Sequence, residues 1–482
     1  MTRRRPCPAA PGPLEGYAAR FDDLFGSLAQ RRGFREYLAG LLGPRDRNKT
    51  LTALAGAEPV TGAQHPAVQR LQFFVPESRW DPGRVNARRL ELLAADPATA
   101  PHGGGVLVID DSGDRKDGTK TAHVGHQWLG RYGKTGNGVV TVTTVWAGER
   151  LYYPVHAVPC TPARHFAKGK NDPAFRTKLQ IGADLAAQAQ AAGFAFRAVA
   201  AGSAYGDQDG FRGELRAAGL PFVLALKPRR GTWACGPDAH TPVDAARELA
   251  WDGPQDPGDW RPVVRTFRDG HTETWFAAAA ALGWWGPDGT TRLVVATADP
   301  GTLPAKATWY LATNLPRPGG PREATSPHPA ASLAEIVRIY GLRHWVEQSC
   351  KQIKDELGWA DFQVRSGTAI RRHQALVNCA FCFCWDAWFH GHPAPPQETA
   401  APRTAPRRGE RGPPAPLPPP APSPPPAPSW PQALRAIRAW LSPSIALQRW
   451  WQAWSKAPPP PQLQALLDSV AAGCGLHLYI LN

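Results

Sequence analysis

Four residues around position 347 combine the side-chain types that phosphodiester chemistry uses. Tyr340, Arg343, Glu347 and Lys354 are separated by two, three and six residues. At about 100° per residue they fall at roughly 0°, 300°, 340° and 320° around a helix axis, with Lys351 near 20°. The apolar Ile339, Leu342, Val346, Ile353 and Leu357 form a separate stripe at roughly 200–260° that would pack on a core. One face therefore carries a single carboxylate among cations and a phenol. Two chemistries fit: a ladder of helix ion pairs, or a metal-ligating Glu surrounded by groups that grip phosphates.

A second candidate lies in "VLVIDDSGDRKDG", where Asp110 and Asp111 close a short apolar run before a Ser-Gly turn. Hard carboxylate oxygens at a strand end suit Mg²⁺, and turn aspartates that hydrogen-bond the loop backbone suit the same pattern. A third lies in "FRAVAAGSAYGDQDGF". Its strand ends at Ala201, and the next residue, where open α/β sheets place working side chains, is Gly202. Cys379, Cys382 and Cys384 lack a second ligand pair at metal spacing, and "HQALVNCAFCFCWDAWF" reads as a buried helix instead.

The elements that must position these residues follow from pattern. Residues 1–100 read as an N-terminal helical, DNA-binding region, in which "FDDLFGSLAQRRGFREYLAGLLG" has helical spacing and stops at Gly43-Pro44. Arg45, Arg47 and Lys49 then present either a solvated basic face or a DNA-contacting one. Residues 101–390 begin with the strands "GVLVIDD", "GVVTVTTVWAG" and "RLYYPVHAV". Helix "DPAFRTKLQIGADLAAQAQAAG", strand "FAFRAVAAG", helix "DGFRGELRAAG" and strand "PFVLALK" follow. That order is the layout of a ribonuclease H-like α/β core. From about 228 to 330, four strands separated by Gly/Pro/Asp turns suggest an all-β insertion. Residues 391–429 are a Pro-rich linker, and residues 430–482 are closing helices whose Trp440, Trp450, Trp451 and Trp454 can pack back onto the body.

With 482 residues and 43% hydrophobic content the chain can bury a substantial core. A formal charge of +15 and a pI near 9.7 fit a polyanionic partner. No transmembrane run and no signal-type segment is expected, and eight scattered cysteines fit a reduced, cytoplasmic setting.

The pattern Y-x2-R-x3-E-x6-K, filled by Tyr340, Arg343, Glu347 and Lys354, resembles the signature of bacterial insertion-sequence DDE transposases. "VIDDSGDRKDG", "GRYGKTGNGVVTVTTV" and "AYGD" resemble that family's core segments, and "YLAGLLGPRDRNKTLTAL" and "FFVPESRWD" its N-terminal region. The resemblance covers about residues 20–390. It implies a ribonuclease H-like nuclease with a β insertion, two Mg²⁺ held by Asp, Asp and Glu, and in-line attack on phosphodiesters. Asp110 becomes the first acid, ahead of Asp111, and Glu347 the third, both as metal ligands. Tyr340, Arg343 and Lys354 become DNA-holding groups, and Lys351, on the same helix face, is expected to join them. The partners implied are double-stranded DNA, at terminal inverted repeats and target sites, and a second copy in a homodimer on DNA. The setting implied is a bacterial, nucleoid-associated one.

The family's second acid stands immediately before a Ser-Ala-Tyr-Gly-like turn, and here that place is Gly202. Two cations about 3.5–4 Å apart need carboxylates to offset their repulsion, so weak metal binding and little strand cleavage are expected. Asp207 and Asp209 lie beyond the turn, where Asp207 is expected to cap the next helix rather than replace the acid. The alternative to an impaired transposase is a non-catalytic DNA-binding protein descended from one, an inhibitor of active copies or an adopted host factor.

Overall fold

β-branched runs dictate the centre of the molecule. In the computed structural model, which describes residues 6–230, 241–392, 428–454 and 460–471, β1 (Val106–Arg115) opens with four fully buried apolar residues, Val106 to Ile109. Such a continuous apolar pattern belongs to a strand covered on both faces. β2 (Gly125–Leu129), β3 (Lys134–Ala147) and β4 (Tyr152–Pro159) follow, all paired antiparallel through β3. β5 (Val199–Ala201) and β6 (Phe222–Ala225) then add to β1 in parallel. The strands β1, β3, β4, β5 and β6 correspond to the runs expected from the sequence. β2 is an addition that the short "HQWL" run, bounded by glycines, did not reveal.

The stretch expected as a β insertion contributes β7 (Arg261–Thr266), β8 (Thr272–Ala280), β9 (Arg292–Thr297) and β10 (Thr308–Thr313). These strands continue the same sheet, because β10 pairs antiparallel with β6, giving the order β2-β3-β1-β5-β6-β10-β9-β8-β7 with β4 beside β3. The stretch is not wholly β, since it also holds a helix at Pro242–Arg247. Trp260, Trp285, Leu293, Val295 and Tyr310 give it a small core of its own.

The helices α1 (Leu28–Leu42), α2 (Pro82–Ala95), α3 (Lys178–Ala191) and α4 (Asp209–Ala217) precede the insertion. Capping boxes start α1 at Ser27/Gln30 and α3 at Thr177/Gln180, each satisfying two backbone N–H groups that a helix start leaves unpaired. The expected helix through Glu347 is two helices, α5 (Leu333–Gly341) and α6 (His344–Asp355). Between them the amides of Arg343, Trp345 and Val346 bond three residues back, to Tyr340, Leu342 and Arg343. That tighter 3₁₀ step breaks the regular helical register between Tyr340 and Glu347.

α7 (Gly367–Gly391) runs through the core, with Cys379, Cys382, Cys384, Phe381 and Phe383 at most 2% exposed. α8 (Trp430–Trp454) returns to it and stacks Trp430 on Phe381 at 4.7 Å. Trp440 packs against the same core, and Trp450 is 54% exposed. The Trp454 side chain, most of the Pro-rich segment (residues 393–427) and residues 472–482 lie outside the described residues.

Candidate active site

Strand register brings the first two candidate positions together. β1 runs on through Arg115, pairing Ser112 and Gly113 with Thr141 and Val140 of β3, so the strand end and Ser-Gly turn expected after Asp111 do not form. Ile109 of β1 is level with Ala201 of β5, so Asp110 and Gly202 lie side by side at the carboxyl end of β5. Ligand-binding crevices of open α/β sheets form at such ends. Successive strand residues point to opposite faces, and the two aspartates separate accordingly. Asp111 faces Lys178, whose Nζ is 2.9 Å from its Oδ2, and the Tyr205 hydroxyl, which donates to its Oδ1 at 3.2 Å. Asp110 faces α6.

Arg343 ties the cleft together. Its guanidinium donates to Asp110 Oδ2 at 2.9 Å through one terminal nitrogen and to Glu347 Oε1 at 2.7 Å through the other. Burial pushes the Asp110 carboxyl up from its ordinary value, while Arg343 pulls it down. Burial likewise opposes the Arg343 charge, but Asp110 foremost, with Tyr340 and Glu347, outweighs it and raises the Arg343 pKa. A carbon placed as Cβ on Gly202 would lie 3.1 Å from one terminal nitrogen of Arg343 and 3.4 Å from its Nε. That Nε is buried and has no hydrogen-bond partner among the described residues. The unpaired donor thus marks the place where a side chain at position 202 would reach.

Nothing in the backbone requires glycine there. Gly202 has φ −73° and ψ 175° and precedes the helical turn Ser203–Gly206, a position that aspartate fills well as an N-cap. Asp207 does not cap the following helix as expected. Its carboxylate accepts from the Lys227 amide at 3.1 Å, and Gln208 is the capping position of α4. Asp209 pairs with Arg212 within α4. Both carboxylates are engaged away from Asp110.

The remaining signature residues divide. Tyr340 packs edge-on against Trp309 at 4.9 Å, and burial raises its pKa. Lys351 is exposed on the same helix face as Glu347. Lys354 is buried instead: its Nζ is 2.7 Å from Asp114 Oδ1 and donates to the Gly113 carbonyl at 3.1 Å, with side-chain exposures of 9% and 1% for the ion pair. Of the three cations after α1, Lys49 is also buried. It donates to the carbonyls of Gly40, Leu41 and Gly43 and closes the helix end. Arg45 pairs with Asp361 at 2.9 Å.

A cleft of about 470 Å³ opens beside Glu347 between α6 and the end of β7. Arg265 and Arg268 line it, two cations that the sequence did not single out. Arg265 lies 4.0, 4.1 and 4.3 Å from the ring centres of Phe267, Trp275 and Trp309, and burial lowers its pKa to about 10. No pattern along β7 marks it, because its aromatic partners come from three separate stretches of chain.

Asp110 and Glu347 are the carboxylates that converge on Arg343, and no group of three or more metal-ligating side chains gathers among the described residues. Two carboxylates bridged by a guanidinium do not fit a pair of divalent cations, which need more negative charge than this cleft supplies.

Comparison with known proteins adds two findings. A family model described as "DDE superfamily endonuclease" matches residues 20–278. The chain is also similar to "Probable transposase for insertion sequence element IS701" of Microchaete diplosiphon. The two are 30% identical over 363 residues, covering 75% of this chain and 84% of that protein.

Proposed function

The chain belongs to the bacterial insertion-sequence DDE transposases, and from that premise we propose that it still holds DNA while its strand-cleaving centre is crippled at Gly202. The family binds DNA, and its endonucleases generally use divalent metal ions. The single observation that carries the proposal is the Arg343 guanidinium spanning Asp110 and Glu347, with its Nε unpaired beside Gly202.

In this reading Asp110 and Glu347 are the surviving acids of a ribonuclease H-like centre that would hold Mg²⁺ if a third carboxylate stood between them. Arg343 neutralises the two that remain. Tyr340, Arg343 and Lys351 face the cleft and hold the phosphates of double-stranded DNA at element ends and target sites. Lys354 belongs to the same signature but is held inside by Asp114 and the Gly113 carbonyl, so it fixes α6 against β1 rather than gripping DNA. A homodimer on DNA, working in the cytoplasm at the nucleoid, fits the family premise. No described helix is long and apolar enough to cross a membrane. The second reading, a non-catalytic DNA-binding protein that competes with active copies or serves its host, draws on the same bridge.

The test is a paired assay on terminal-repeat DNA with Mg²⁺, comparing the natural chain, Gly202→Asp and Glu347→Ala. The natural chain should bind but barely nick, and Gly202→Asp should nick. Nicking by the natural chain at the Gly202→Asp rate would refute the impairment.

A further inference from the structure

The segment "GHQWLGRYGKTGNG" forms a hairpin whose two large rings face solvent. Trp128 is 56% exposed and Tyr132 46% exposed. On β2, Gly125, Gln127 and Leu129 share one face while His126 and Trp128 share the other. Leu129, 2% exposed, is the anchor. A Cβ on Gly113 would lie 2.6 Å from Leu129 Cδ2. One on Gly138 would lie 2.9 Å from the same atom, and one on Gly136 would lie 3.3 Å from Cδ1. Three glycines on two strands thus clear room for one leucine, and the hairpin folds back over β1 instead of projecting from it. Gly133, at φ +60°, makes the turn at its tip.

This fold-back carries the tip to the acid centre's own helix. Arg131 stands 3.7 Å from Asp355. Glu347, Lys351 and Asp355 recur every fourth residue, so they share one face of α6. At 1.5 Å per residue, Asp355 lies about 12 Å along the axis from Glu347. Arg131, which lies between the two rings in the chain, therefore stands over the α6 face that carries Lys351 and Glu347. Four cations and two carboxylates lie along this stretch: Arg131 and Arg115, 59% and 66% exposed, pair at 3.7 Å with Asp355 and Asp117, and Lys120 and Lys134 are exposed without an ion pair among the described residues. Exposed aromatic rings interleaved with cations suit single-stranded nucleic acid, in which bases are free to stack and phosphates are close by. A protein partner would gain little from four unpaired or weakly paired cations.

We propose that the β2–β3 hairpin grips unpaired DNA beside the acid centre: Trp128 and Tyr132 stack on its bases, and Arg131, Lys134 and Lys120 hold the flanking phosphates. The proposal rests on the chain's binding DNA and adds a preference for strands that are already parted.

The full chain is titrated, by fluorescence anisotropy, with a labelled duplex and with the same duplex ending in an unpaired single-stranded tail. The natural chain should bind the tailed DNA more tightly. The paired change Trp128→Ala/Tyr132→Ala should weaken tailed-DNA binding by about tenfold or more, and duplex binding by less than about threefold. Trp128→Phe/Tyr132→Phe, which keeps the rings, should retain the preference. Lys351→Ala should weaken both DNAs alike. Both rings are exposed, so an unchanged melting temperature separates lost contact from lost fold. Equal affinity of the natural chain for both DNAs would overturn the hairpin proposal, as would an Ala pair that binds both as before but no longer self-associates. Absence of binding to either DNA would overturn the proposed function as well.

Discussion

Replacing Gly202 with Asp perturbs the site at one point, and the structure sets the size of the effect. The backbone there is extended and accepts any residue. The new Cβ would sit 3.1 Å from a terminal nitrogen of Arg343, a contact relieved by a few tenths of an ångström of movement in a flexible side chain. The carboxylate would give the unpaired Arg343 Nε a partner, at about 1.5–3 kcal/mol for a charged hydrogen bond. It would also stand next to Asp110 on strands about 4.8 Å apart, where repulsion costs about 3 kcal/mol at an effective dielectric of 20. The two nearly cancel, so without metal the melting temperature should move by no more than about 3 °C. Mg²⁺ changes the balance, because three carboxylates around the cleft then have a cation to share. At a hundred times its Kd, bound metal adds about 2.7 kcal/mol, a rise of roughly 3 °C for a chain of 482 residues. The natural chain should show no such rise. Nicking should increase at least about a hundredfold, corresponding to some 3 kcal/mol of transition-state stabilisation by a properly held metal. Thermal melts with and without Mg²⁺, beside a nicking assay, read both effects. Adding Glu347→Ala should abolish both gains. A Mg²⁺-dependent rise in the natural chain as large as in Gly202→Asp would refute the reasoning.

Lys354→Gln should lower stability by about 3–5 kcal/mol, because it leaves the Asp114 carboxylate buried and unpaired. The double change Lys354→Met/Asp114→Leu should recover most of that loss in a denaturant melt. Lys351→Ala should leave stability unchanged and lower the magnitude of the salt-dependence slope of DNA binding by about one. His373 is fully buried, and burial lowers its pKa to about 4. The Tyr37 hydroxyl bonds its Nδ1 and the Trp359 carbonyl its Nε2, which suits the neutral ring. Its unfolded value is near 6.5, so the stability it contributes is present above pH 6.5 and lost as pH falls through 4, by about 3 kcal/mol. His373→Gln should flatten that acid limb of the stability profile.

Much of the site was legible because it lies in short stretches with local periodicity. Asp110 ends an apolar run, Gly202 follows another, and Glu347 sits among polar residues at helical spacing. Sequence spacing did not show that the helix through Glu347 breaks at Arg343, because three hydrogen bonds of i→i+3 type decide that. Nor did it separate Lys351 from Lys354. The two lie close on the helical wheel, but Asp114, on a strand some 240 residues earlier, takes Lys354 into the interior. The place of Asp207 before a helix predicts a cap, but the Lys227 amide, just past the end of β6, donates to its carboxylate instead.

By itself the sequence determined the family, the order of the main strands and helices though not β2 or the helix Pro242–Arg247, and the absence of a carboxylate at position 202. Those are properties of residue type and local period, which survive without knowing where any chain segment meets another. Only the tertiary structure decided that β7–β10 extend the central sheet, that Leu129 seats the hairpin among three glycines, and that one guanidinium spans the two surviving acids. Each of these joins residues far apart in the chain. Such contacts are fixed by packing and by the need to pair buried charge, which no single stretch of sequence records.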